Sequence, residues 1–350
     1  MRWKLPLILY IATWLTTLGL RLDHQLPLAF VFYACGAVSF DVLWEALVDG
    51  LKYSAALMLI LTCHELGHFI QTLQYRIRSS LPYFIPMPLG PTGTLGAVIA
   101  MDGRIPNRRA LFDIGISGPV AGLVPTLVCL YYGIKWSYIV PTFNSNGMSL
   151  GEPLLLQWMV KWFYGPLSPD LTVLLHPVAM AGWVGLLLTT LNLMPVGQLD
   201  GGHIFYALLG QRAGTAAWGI FYVLLVLVAV YQLWHWTLLL IILALVGVRH
   251  PPTANDAVPL TPGRYLLGCL MLAFVLIGFT PTPIQFNESE PQEKEPQWEC
   301  RVDSSKHSVA VWKIDVGCQE RVFGVGMDLR PWEPGVSLET APLIPLLDRE

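Results

Sequence analysis

The sequence His64-Glu65-Leu66-Gly67-His68 lies inside the apolar stretch 50–71, which is long enough to cross a bilayer. Two histidines at positions i and i+4 lie on one face of a helix, so both rings can bind a single Zn²⁺ ion, and the adjacent Glu65 can accept a proton from water there. An alternative is that both histidines bond to neighbouring helices. Since that would leave three ionisable groups in an apolar helix with no metal ion to offset them, the spacing favours a metal site.

The composition is that of a membrane protein. Of the 350 residues, 54% are apolar and 13% are charged, against roughly 45–50% and 25% in an average soluble domain. The stretch 28–40 is apolar but too short to cross a bilayer, which favours an interfacial or re-entrant piece. Seven other segments have about the 20 apolar residues that a spanning helix needs: 5–22, 50–71, 111–134, 175–195, 214–232, 234–249 and 264–280.

The charges predict how the chain is oriented. Residues 1–280 contain 14 Lys and Arg against 11 Asp and Glu, whereas residues 281–350 contain 7 against 13. The connection 72–110 holds five arginines and one aspartate, so the positive-inside rule places it and the N-terminus in the cytoplasm and the acidic tail outside. The sequence has no basic cluster of the kind that binds nucleic acid, which excludes that class of partner.

A catalytic zinc ion usually has three protein ligands and one open position, so a third ligand is expected. Asp200 closes the fourth apolar segment, where Pro195 and Gly197 break the helix and Gly201 and Gly202 let the chain turn. The alternative is an ordinary aspartate in a cytoplasmic turn. The predicted topology favours the ligand, because the ends of the second and fourth segments both approach the cytoplasmic leaflet.

These two motifs together resemble the site-2 protease family of intramembrane zinc metalloproteases, whose pattern is HExxH followed by NxxPxxxxDG. Asn192, Pro195, Asp200 and Gly201 match the second motif position by position. The resemblance covers about residues 50–205. It implies an all-α polytopic membrane protein with about seven transmembrane helices, a small re-entrant β element and, here, a short extramembrane C-terminal module.

The resemblance also implies a role for each motif residue. His64, His68 and Asp200 would bind one Zn²⁺ ion, and Glu65 would be the general acid and base. Asn192 would lie beside the active centre and help to hold the substrate or the developing oxyanion. Many members of the family carry a PDZ domain or a pair of CBS domains, for which residues 135–174 and the tail are too short.

Residues 81–102 contain prolines and glycines that rule out a spanning helix, yet residues 94–101 are apolar and partly β-branched. One interpretation is a cytoplasmic loop on the bilayer surface. In the family this place is a re-entrant β element beside the active site, and its strand edge could pair with an unwound substrate. The predicted substrate-binding residues are Thr94, Leu95, Gly96, Ala97 and Val98.

The chain therefore divides into four predicted parts. These are an N-terminal transmembrane helix with an interfacial segment (1–49), a catalytic core (50–205), additional transmembrane helices (206–280) and an acidic extramembrane tail (281–350). Alternation in residues 308–316 predicts a β-hairpin in the tail. A Cys300–Cys318 disulfide is compatible with an oxidising compartment there.

Three further histidines lie near predicted helix ends. We expect His176 and His235 to be interfacial residues and not metal ligands. His203 follows Asp200 by three residues and could support the metal ligands by hydrogen bonding.

The sequence thus predicts a zinc metalloprotease embedded in the lipid bilayer that hydrolyses peptide bonds within or near the transmembrane segment of a protein substrate. A non-catalytic membrane scaffold of the same fold is the main alternative. A metal transporter is a weaker one, because a conduction path needs acidic residues or histidines at several depths, and here they cluster at one.

Overall fold

The computed structural model describes residues 3–23, 40–88, 92–101, 105–141, 148–168, 171–286, 309–316 and 319–326. Two compact units divide the chain, Met1–Phe286 and Asn287–Glu350. The predicted interfacial segment 28–40, apart from its last residue, and the predicted Cys300–Cys318 pair lie outside the described residues.

The first unit is mostly helical, and helical structure is present at each of the seven apolar segments. Three helices are long and apolar enough to cross a membrane: Trp44–Gln74, Arg108–Lys135 and Arg212–Val230. The other four are shorter, so length and composition alone give three candidate spans among the described residues. The helices are α1 (Lys4–Asp23), α2 (Phe40–Gln74), α3 (Arg108–Lys135), α4 (Leu154–Tyr164), α5 (Pro177–Asn192), α6 (Asp200–Leu209), α7 (Arg212–Val230), α8 (Thr237–Val246) and α9 (Pro262–Gly278), with a 3₁₀ turn at Trp234–Trp236.

Helices α2, α3 and α5 pack against one another and form the centre of the unit. Small residues permit the close approach: a methyl group on Gly133 of α3 would meet the backbone of Ala179 in α5, and one on Gly185 of α5 would lie 2.9 Å from Ile60 of α2. The face of α2 that carries Tyr53, which is fully buried, turns toward this centre. The opposite face is apolar and exposed, as expected for a helix in contact with lipid.

Short antiparallel strand pairs connect the helices. Strand β1 (Tyr83–Pro86) pairs with β2 (Thr94–Val98), with Phe84 opposite Ala97. Strands β3 (Tyr138–Pro141) and β4 (Met148–Leu150) are followed, after α4, by β5 (Leu171–Leu174), and β6 (Ile284–Phe286) follows α9. β3 pairs with β5, and β4 pairs with β6. In the second unit, β7 (Val309–Val316) and β8 (Gln319–Gly326) form an antiparallel pair.

The position of Asp200 differs from the expectation. It does not close the fourth apolar helix, because α5 ends at Asn192 and Asp200 is the first residue of the separate short helix α6. Pro195 lacks the N–H that would continue α5, and Gly197 has a φ of 64°, so the chain turns through residues 193–199 before it becomes helical again.

Candidate metal centre

His64 and His68 of α2 bring two ring nitrogens together inside the unit. Their Nε2 atoms lie 3.2 Å apart, and the residues are only 5% and 8% exposed. The Nδ1 atom of His68 lies 2.7 Å from the carbonyl oxygen of Ile114. Since a carbonyl can only accept, Nδ1 donates, and the neutral ring then has its lone pair on Nε2, as a metal ligand requires.

Asp200 of α6 completes the cluster. Its Oδ2 atom lies 3.1 Å from Nε2 of His64, and its Oδ1 atom lies 3.2 Å from Nε2 of His68. The carboxylate is 14% exposed. A residue at the start of a helix can present its side chain beyond the helix end, and the turn after α5 directs this helix start toward α2.

The turn that positions Asp200 has no space for side chains at its glycines. A methyl group on Gly201 would overlap the carbonyl of Leu193, and one on Gly202 would overlap the carbonyl of Gly197. The motif glycine Gly201 and the next residue, Gly202, are therefore needed for this compact turn, and any larger residue there would displace the first turn of α6.

The donor set fits a zinc ion. The three ligand atoms all lie within 4.8 Å of one another. Ligand atoms bound tetrahedrally at 2.0–2.1 Å lie about 3.3 Å apart, close to the separations seen between Asp200 and the two histidines. Two imidazole nitrogens and one carboxylate oxygen are also the ligand types that zinc prefers. Convergent lone pairs in a buried site repel one another unless a cation or protons lie between them.

Helix α3 forms the wall behind the two histidines. A methyl group on Gly118 would overlap the ring of His68, and one on Gly122 would lie 3.0 Å from Cβ of His64. Gly118 and Gly122 follow Arg108, the first residue of α3, by 10 and 14 positions, which corresponds to about 15 and 21 Å along the helix axis. The cluster thus lies near the middle of a candidate membrane span.

Two more predicted residues lie beside this cluster. Glu65, adjacent to His64 on α2, is 6% exposed. Asn192, the last residue of α5, has its Nδ2 atom 3.5 Å from Nε2 of His64. The structure therefore brings a carboxylate and an amide donor to the place where the three ligand atoms converge.

The β1–β2 hairpin runs alongside α2. Tyr53 donates from its hydroxyl to the carbonyl of Thr92 at 2.9 Å, and Thr72 shares a 2.8 Å hydrogen bond with Ser79, which pairs with Met101. From Tyr53 to Thr72 the helix rises about 28 Å, and the nine residue steps from Thr92 to Met101, which include strand β2, cover at most about 30 Å. These lengths place the C-terminal end of β2 at about the same depth as His64 and His68.

The side chains of the predicted substrate strand differ in exposure without a regular alternation. Thr94 is 1% exposed, whereas Leu95 and Val98 are 60% and 54% exposed, and Gly96 has a φ of 91° with open space around it. Within the described residues β2 pairs with β1 alone. Its second edge has no paired strand in this part of the chain.

The motif residues and their geometry agree with a match to a known family. Residues 52–231, more than half of the chain, match the sequence profile described as peptidase family M50, the site-2 protease family. The chain belongs to peptidase family M50. The resemblance inferred from the two motifs is confirmed.

Curated relatives of this M50 chain are named as probable zinc metalloproteases. It is 29% identical over 261 residues to a probable chloroplastic zinc metalloprotease EGY2 of Arabidopsis thaliana, which covers 72% of this chain and 45% of the relative. It is 32% identical over 164 residues to a probable chloroplastic zinc metalloprotease EGY1 of Oryza sativa subsp. japonica, covering 43% and 26%. The chain thus spans less than half the length of these relatives.

The other histidines that the structure describes have partners outside the candidate metal cluster. His176 caps the N-terminus of α5, since its Nδ1 atom accepts a hydrogen bond from the backbone N–H of Val178. His235 lies 2.7 Å from the carbonyl of Pro281. His203 lies 2.7 Å from His250, a residue that the sequence patterns did not single out because it lies in an irregular connection far along the chain.

Proposed function

We propose that this chain is a zinc-dependent intramembrane endopeptidase that hydrolyses peptide bonds within or near the transmembrane segment of membrane-protein substrates. One observation carries the proposal. His64 and His68 from one candidate span and Asp200 from a second helix converge at hydrogen-bond distances, buried against the middle of α3. The relatives, which are named as probable zinc metalloproteases, support the same chemistry.

His64, His68 and Asp200 would hold the zinc ion through two Nε2 atoms and one carboxylate. When bound, the ion supplies Lewis acidity, which lowers the pKa of water and polarises a carbonyl group. The carboxylate of Glu65 accepts the proton of the attacking water and then returns it to the leaving nitrogen of the substrate. Its burial beside the ligands excludes bulk solvent from this proton transfer.

Asn192 would stabilise charge that develops on the substrate carbonyl oxygen. Its Nδ2 atom can donate two hydrogen bonds and lies 3.5 Å from a ligand atom. Donors held at the place where an oxyanion forms contribute more in a buried site than in water. Because Asn192 ends α5, the rigid helix fixes the direction of the amide.

The free edge of β2 would hold the substrate. A transmembrane helix bonds its own carbonyls internally, so it must unwind before a peptide bond can be cleaved. The N–H of Gly96 and the carbonyl of Thr94 are bonded within the hairpin, so other backbone groups of residues Thr94 to Val98 would pair with the unwound segment, and the exposed side chains of Leu95 and Val98 would offer apolar contact.

The proposal includes a multi-pass topology. The four shorter apolar helices would complete a set of about seven spans, with tilting or thinning of the bilayer to accommodate their length. The connection 72–110 and the N-terminus would lie in the cytoplasm and the acidic tail outside. The four-part division of the chain stays a prediction.

The decisive experiment uses the full chain purified and reconstituted in lipid vesicles together with single-span substrates. We expect cleavage products whose masses place the cut within or near the substrate span. Stripping the protein with a chelator should abolish cleavage, and added Zn²⁺ should restore it. Tight substrate binding without any product in zinc-loaded protein would overturn the proposal and favour the scaffold.

A further inference from the structure

An irregular segment between α8 and α9 contacts α6, the turn before α6 and the start of α3. We call residues 247–261 the strap. The strap follows the segment 52–231 that the family profile matches. Its contacts reach the turn before Asp200, the start of α3 and the side chains of α6.

Backbone hydrogen bonds attach the strap at two places. The carbonyl of Val248 accepts from the N–H of Gly197 at 3.0 Å, and the N–H of Ala254 donates to the carbonyl of Ile105 at 2.9 Å. A third bond joins Nε of Arg109 to the carbonyl of Pro259 at 2.6 Å. The strap is therefore fixed both to the turn that precedes Asp200 and to the first turn of α3.

His250 of the strap contacts His203 of α6, which follows Asp200 by three residues. Its Nδ1 atom lies 2.6 Å from the carbonyl of Pro251, and its Nε2 atom lies 2.7 Å from Nδ1 of His203. Because the carbonyl can only accept, Nδ1 of His250 carries the proton, and the neutral ring accepts at Nε2. His203 must then donate from Nδ1, so the orientation of its ring is defined.

The surroundings keep His250 neutral and in place. Burial lowers the pKa of His250 below its usual value, against smaller opposing effects of the Pro251 carbonyl and of Asp256. Its ring lies against that of Tyr206, with centroids 4.9 Å apart. The hydroxyl of Tyr206 donates to Asp256 at 2.7 Å, which joins α6 to the strap a second time.

His203 is coupled to Asp200 through the packing of α6 on α3. The two residues are three positions apart and both face Gly115 of α3. A methyl group on Gly115 would lie 2.7 Å from Cβ of His203 and 3.2 Å from the carbonyl oxygen of Asp200. With no side chain between the helices, a rotation of α6 that moved His203 would also move the carboxylate of Asp200.

We infer that His250 is a positioning residue that acts through its hydrogen bond to His203 and fixes the first turn of α6, so that Asp200 is held between His64 and His68. The inference rests on the proposed function. Groups that orient metal ligands typically change metal affinity or activity by about 10–100-fold when they are replaced.

The test compares two replacements at His250 in the full-length protein. H250F keeps a planar ring against Tyr206 but removes the acceptor, whereas H250Q keeps an oxygen acceptor for His203. Affinity for Zn²⁺ is measured by competition with a chelator, and the visible absorption of Co²⁺-loaded protein reports ligand geometry. Y164F is the matched control, because its hydroxyl bonds to the carbonyls of Ile134 and Ser137 at the far end of α3.

We expect H250F to weaken metal binding by about tenfold or more and to change the Co²⁺ spectrum. The zinc affinity and the Co²⁺ spectrum of H250Q and Y164F should stay close to those of the wild type. Wild-type affinity and spectrum in H250F would overturn the inference. If H250F does not fold, H203L removes the same hydrogen bond from the other side, and unchanged affinity in that variant is equally decisive. Failure of the proposed function looks different, since the wild type itself would then bind no metal or, when loaded with zinc, would cleave no substrate.

Discussion

Gly118 of α3 lies directly against the imidazole ring of His68, so close that a methyl group in its place would overlap the ring. The distance between α2 and α3 at this point therefore sets where the ring can lie. His68 also donates to the carbonyl of Ile114, one turn earlier on α3. Helix α3 contributes no metal ligand, yet it determines the position and the tautomer of one.

Replacing Gly118 by alanine should reduce bound zinc strongly, because either the ring of His68 or the whole of α3 must move. Alanine favours a helix over glycine by about 1 kcal/mol, so helix propensity alone would not weaken the protein. G219A in α7 is the matched control, since a methyl group there meets nothing within 4 Å. The zinc content of both purified variants is measured by elemental analysis. Wild-type zinc content in G118A would contradict the proposed packing.

Removing one ligand should empty the site. We expect H68A to retain less than a tenth of the wild-type zinc, since two remaining ligands hold the ion far more weakly than three. H235A removes a histidine outside the candidate metal cluster, which bonds to the carbonyl of Pro281, and should keep the full zinc content. Elemental analysis of the folded variants measures the bound zinc. Undiminished zinc in folded H68A would exclude His68 as a ligand.

Replacing Glu65 by glutamine should abolish cleavage while zinc content and thermal stability stay unchanged. The amide keeps the size of the side chain but cannot accept the proton of the attacking water. General acid and base groups typically contribute 10²–10⁴-fold to the rate, so a loss of about 100-fold or more is expected. Normal turnover in zinc-loaded E65Q would assign the base to another residue.

The sequence was sufficient to predict the cluster of His64, His68 and Asp200, because each motif is local. His64 and His68 share a helix face by their spacing alone, and Asn192, Pro195 and Asp200 lie in one short segment whose proline and glycines specify a turn. The pattern did not show that Asp200 begins a new helix. A proline and a glycine predict that a helix ends but not where the next one starts.

The partners of the motif residues could not be predicted, because they are distant in sequence and follow no periodicity. The contact of His250 with His203 joins the strap to α6, and that of Gly118 with His68 joins α3 to α2. Helix α4 was also missed, because its 11 residues lie between segments that were judged only by their ability to span a bilayer.

The orientation in the membrane follows from charge and can be checked directly. We expect a cysteine introduced at Arg78 to react with a membrane-impermeant maleimide only after cells are permeabilised, and the acidic tail to react on intact cells. A cysteine in place of Val124, which is exposed in the middle of α3, should resist labelling both in intact and in permeabilised cells. Tail labelling only after permeabilisation would invert the topology and the side from which water reaches the site.

Pairing of the substrate with the edge of β2 can be tested at Val98. If the substrate pairs with the N–H of Val98, V98P should reduce cleavage sharply, because proline has no N–H to donate. V98A should have a mild effect, since the backbone bonds would remain and only an exposed side chain is shortened. Zinc content and thermal stability of both variants distinguish loss of pairing from loss of fold. A folded, zinc-loaded V98P protein that cleaves at the normal rate would show that the substrate is held elsewhere.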